Sequence, residues 1–87
     1  MNGFRVWVRP MDYEYRVLVE GLENAQWLIL ELSRGFIFKS ARPIDAERGS
    51  SLCSFQVPYN AMLPFGVFQR LLARIPQVTV VMQPSLA

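Results

Sequence analysis

Phe4-Arg5-Val6-Trp7-Val8-Arg9-Pro10-Met11-Asp12-Tyr13-Glu14-Tyr15-Arg16-Val17-Leu18-Val19-Glu20-Gly21 is the stretch on which the fold turns. Its first half alternates strictly, with Phe4, Val6 and Val8 on one face and Arg5, Trp7 and Arg9 on the other. A two-residue period is the signature of a half-buried strand. Pro10 ends that run because it has no N–H to give to a ladder. Arg9-Pro10-Met11-Asp12 suits a turn with proline at its second position. A second alternating run covers Tyr13 to Glu20, with Tyr13, Tyr15, Val17 and Val19 opposite Glu14, Arg16, Leu18 and Glu20. The two runs read as a hairpin or as one long strand bulged at Pro10.

Downstream, the period changes. After Gly21 a helix is expected over residues 23–34, since Ala25, Leu28, Ile29 and Leu32 fall at helical spacing. Trp27 and Leu30 lie beside that stripe. Gly35 can take the left-handed conformation that stops a helix, and Phe36 can pack back on its last turn. Residues 36–39 form a short aromatic strand, and residues 41–51 a mobile polar hairpin loop rich in turn-formers. Residues 52–57 make the next strand, closed by Pro58. Pro64 suits the first turn of a second helix, whose stripe is Phe65, Phe68, Leu71, Leu72 and Ile75. Pro76 terminates it. Residues 77–82 are a last, Val-rich strand, and residues 84–87 a frayed C-terminal tail.

The whole of residues 1–87 is therefore expected to be a single α+β domain. Two strand–helix–strand units in succession resemble the ferredoxin-like split βαβ plan (βαββαβ), a two-layer sandwich with an antiparallel sheet, two helices on one face and an extra N-terminal strand. The other sheet face is left for water or a partner. That plan hosts many unrelated activities and assigns none by itself.

Composition restricts the chemistry. The 87 residues are 52% hydrophobic and 18% charged, too apolar for a disordered chain. They include no histidine and one cysteine. The commonest general base is thus absent, and Cys53 has no imidazole to lower its pKa. No metal-ligand set or phosphate-binding loop can be assembled. Neither an enzyme nor a cofactor is expected. Cys53 reads as a small buried strand residue beside Phe55 and Val57. Glu14 and Glu20, with Arg16 between them, read as a solvated ion network rather than an acid–base pair. The N-terminal residues carry no apolar core of a secretory signal, and no 20-residue apolar run is long enough to span a bilayer, so a cytoplasmic protein with no membrane contact is expected.

A chain this short buries only about 60% of the surface its unfolded form exposes, so apolar side chains are left over for a partner. Eight of the nine basic residues are arginine, the side chain best suited to carboxylates, phosphates and aromatic faces. Candidate partner-binding residues are Arg5, Trp7 and Arg9 on one strand and Arg16 and Leu18 on the next, with Ser54 and Gln56 as neighbours. A second candidate, a loop site, pairs Arg42 with Arg48. Three functions follow in order of support. The first is a non-enzymatic interaction domain that forms a homodimer or docks on a protein partner through an open sheet face or strand edge. The second is a nucleic-acid-binding module built on the Arg5-Trp7-Arg9 row. The third is a regulatory domain that senses a small metabolite.

Overall fold

The computed structural model describes residues 3–35, 44–45, 52–59 and 61–81. Seven elements follow one another: β1 (Phe4–Pro10), β2 (Glu14–Glu20), α1 (Leu22–Gly35), β3 (Ile44–Asp45), β4 (Leu52–Pro58), α2 (Phe65–Ala73) and β5 (Val78–Val80). The strands form one sheet in the order β3-β4-β2-β1-β5. It is a small α+β arrangement.

The opening stretch is a hairpin. Val6 pairs with Val19, Val8 with Val17 and Pro10 with Tyr15, antiparallel, around a connection closed by the Met11 N–H donating to the Glu14 carbonyl at 2.7 Å. Tyr13 lies in that connection and is exposed, so it does not join Tyr15, Val17 and Val19 in the core as its parity predicts. The strand begins one residue later, at Glu14, because the turn consumes Tyr13.

The extra N-terminal strand sits inside the sheet rather than at its margin. β2 is already flanked by β1 and β4, so β5 can reach the sheet only at the outer edge of β1. It pairs there in parallel, Phe4 with Val78 and Val6 with Val80. The expected antiparallel sheet is therefore mixed. The Phe4 N–H donates to the Gln77 carbonyl and the Val81 N–H to the Val6 carbonyl, holding both ends of the short strand.

A second departure concerns the partner of β4. The expected strand over 36–39 lies outside the described residues, as do the Phe36 contact and residues 84–87. Among the described residues β4 pairs with β2 and, on its other side, with Ile44–Asp45, within the stretch read as a polar loop. Two residues are too few to leave an alternating pattern among turn-formers.

The core follows from the alternation. Phe4, Val6 and Val8, then Tyr15, Val17 and Val19, then Cys53, Phe55 and Val57 come into register on one face. They meet Ala25, Leu28, Ile29 and Leu32 of α1 and Phe68 and Leu72 of α2 in a single buried cluster. Both helices thus cover the same face. Tyr15 stacks on Phe68 with ring centroids 5.1 Å apart and donates its hydroxyl to the Leu63 carbonyl at 2.8 Å. Burial, with the Tyr59 phenol as a lesser cause, pushes the Tyr15 hydroxyl pKa up. Trp27 is half-buried and meets the edge of Phe4 at 5.9 Å, whereas Leu30 faces out.

Candidate functional site

The helix-free face is ordered by the hairpin register. Three rows cross from β1 to β2 on that side: Arg5 joined to Glu20 through the Glu20 side chain, then Trp7 opposite Leu18 and Arg9 opposite Arg16 by ladder pairing. β4 continues each row with Leu52, Ser54 and Gln56. The sequence-predicted residues Arg5, Trp7, Arg9, Arg16 and Leu18 are thus brought onto one surface.

They are not equally accessible. Leu18 is only 7% exposed and Ser54 only 5%, although neither points at a helix. Leu18 is flanked by Trp7 and Ser54 in its own row, and at that burial a partner cannot grip it. Arg5, Arg9, Gln56 and Thr79, the last beside Arg5 on β5, are exposed. Trp7 and Arg16 are half-buried. The accessible part of the face therefore lies over β1 and β5 and along the Arg9–Arg16–Gln56 row.

The first row is internally satisfied. Where β2 leaves the sheet at Gly21, whose φ of +87° is a conformation suited to glycine, β1 loses its ladder acceptor. The Glu20 carboxylate replaces it. One oxygen accepts the Arg5 backbone N–H at 2.8 Å and the other accepts the Arg5 guanidinium at 2.8 Å. The side-chain hydrogen bond from Arg5, followed by the backbone one, lowers the Glu20 pKa. The same hydrogen bond and the carboxylate charge raise that of Arg5. Asn24 holds the exit from the other side by donating to the Glu20 carbonyl at 2.6 Å. Glu20 is thus a fixing residue for Arg5 rather than a partner of Arg16 or Glu14, which corrects the reading of a Glu14–Arg16–Glu20 network.

Arg5 in turn lies over Trp7, its guanidinium carbon 5.4 Å from the ring centroid. The third row has no such partner. Arg9 and Arg16 face each other across the hairpin, and among the described residues neither forms a salt bridge. Glu14 lies two positions along β2 on the same face and pairs with neither.

The loop candidates Arg42 and Arg48 lie outside the described residues. Cys53 is buried in β4 beside Phe55, on the core face. Among the described residues, no group of three His, Cys, Asp or Glu side chains could hold a metal ion, and no helix is long and apolar enough to cross a membrane. Sequence reasoning missed the Arg5–Glu20 fork and the Arg9–Arg16 opposition. Both follow from the register once the turn is placed between Pro10 and Tyr15. No protein-family model, curated protein or solved structure matches this chain.

Proposed function

We propose that this chain is a small non-enzymatic interaction domain that engages a protein through the helix-free face of its sheet. The observation that carries the reading is the prepared state of Trp7. Its ring stands half-exposed under the Arg5 guanidinium, which Glu20 holds from the other side. Tryptophan and arginine dominate binding hot spots, and side chains already held in place lose less freedom on association. The fold is read as a ferredoxin-like plan with β1 inserted between its first and last strands, which leaves this face free of helices without assigning it a role. The nucleic-acid alternative is less well supported, because the guanidinium of Arg5 occupies ring surface that a stacking base would use.

The test places a photo-crosslinking amino acid at Thr79, exposed beside Arg5, and, as a control, at Gln26 on the outer side of α1. Illumination in the source cells is expected to give an adduct of defined mass at position 79 and none at 26, identified by peptide sequencing as a protein. No adduct at 79, the same adduct at both positions, or an adduct that is nucleic acid overturns the reading.

A further inference from the structure

We infer that the occupant of this face is an acidic segment of a different protein, seated at the Arg9–Arg16 row; this rests on the reading of the face as an interface. Rows one and three of the hairpin have opposite electrostatics. In the first, a cation faces a carboxylate and the two neutralise each other at 2.8 Å. In the third, two arginines occupy directly opposed positions on the two strands, and among the described residues neither forms a salt bridge. Like charges in directly opposed positions destabilise a sheet. An incoming carboxylate between Arg9 and Arg16 relieves that repulsion and gains charge-assisted hydrogen bonds. In the adjoining row the half-buried Trp7 offers apolar contact beside the charge, and the neutral Gln56 completes the third row on β4. Carboxylates flanked by apolar side chains match this order of surface. A second copy of the same chain is a poorer fit at this row, because a two-fold axis through it brings the Arg9 and Arg16 side chains of both copies together.

The probe is a fluorescent peptide of alternating glutamate and valine, with a glutamine-and-valine peptide and a single-stranded oligonucleotide as comparators. Binding is read by anisotropy at low and high salt. The glutamate peptide is expected to bind more tightly than the glutamine peptide and to weaken as salt rises. Arg9→Gln and Arg16→Gln each weaken it by up to about fivefold, the scale of an exposed ion pair. Trp7→Phe weakens it less, and Arg34→Gln, on α1, leaves it unchanged. Equal binding of both peptides, lost with Trp7→Ala, keeps the face as an interface but overturns an acidic occupant. Tighter binding of the oligonucleotide than of the glutamate peptide overturns it in favour of nucleic acid. A glutamate peptide that does not bind, or whose affinity ignores both arginines, also overturns it. The crosslinking experiment at Thr79 stands apart from these results, so the two failures are distinguishable.

Discussion

Glu20 supplies the acceptor that the backbone of β2 cannot: its carboxylate takes both the Arg5 N–H and the Arg5 guanidinium at the point where the chain turns into α1. One acidic side chain thereby secures the end of β1 and positions the cation above Trp7. The pKa of Glu20 is lowered on folding, so the unfolded chain binds a proton more readily. The contribution of this group is complete above the ordinary carboxylate value of about 4.3 and is lost as pH falls through the lower folded value. Chemical denaturation across the acid range should therefore show wild-type stability falling below about pH 4.3, with a shallower fall for Glu20→Gln. Equal slopes would contradict this role.

At the other end of the pH scale, Tyr15 has the complementary behaviour. Its hydroxyl is protonated and bonded to the Leu63 carbonyl, and its folded pKa is raised. Stability from that group is intact below about pH 10 and is lost as pH rises through the folded value. Tyr15→Phe should cost about 1 kcal/mol near neutrality, by leaving the carbonyl without its donor. It should also flatten the alkaline limb of the stability curve, which denaturation in parallel buffers reads directly.

Gly21 turns the chain from β2 into α1 with φ +87°, and a Cβ there would lie 3.4 Å from the Asn24 side-chain nitrogen. Gly21→Ala is expected to destabilise by about 1–2 kcal/mol from the left-handed backbone alone. Thermal melts of the two proteins test it.

Two leucines of α1 separate core from surface. Leu28 is fully buried, whereas Leu30 is 60% exposed. Leu28→Ala should cost about 2–5 kcal/mol through lost burial and the cavity left behind. Leu30→Ala should stay within about 0.5 kcal/mol of wild type. Urea titrations of both variants would contradict the assignment of the helix faces if the order were reversed.

These contrasts show what was legible in the amino-acid sequence. The alternation of Phe4, Val6 and Val8 and the helical spacing of Ala25, Leu28, Ile29 and Leu32 report burial directly, because each pattern repeats with the period of its backbone. The pairing of Arg5 with Glu20 is not periodic. It depends on where a turn closes, and residues 10–13 admit both a hairpin and a bulge. The place of β1 between β2 and β5 is likewise topological: Val78 and Val80 read as strand residues wherever they pair. Leu18 misled for a related reason. Its parity put it on the helix-free face correctly, yet it is only 7% exposed there.

If the Arg9–Arg16 row binds as proposed, its opposition affects stability and binding with opposite signs. Arg9→Gln removes a like-charge pair and should raise stability by about 0.2–1 kcal/mol, while weakening the acidic peptide. A variant that is both less stable and unchanged in binding would remove the reason for regarding the pair as a binding device.

Amide chemical-shift mapping of the glutamate-and-valine peptide on the isotope-labelled protein tests the central claim most directly. Shifts concentrated on Trp7, Arg9, Arg16 and Gln56, absent from the outer sides of α1 and α2 and abolished in the Arg9→Gln, Arg16→Gln double variant, are the predicted result. Shifts centred on the helices, or a pattern on β1 and β2 that survives removal of both guanidiniums, would contradict it.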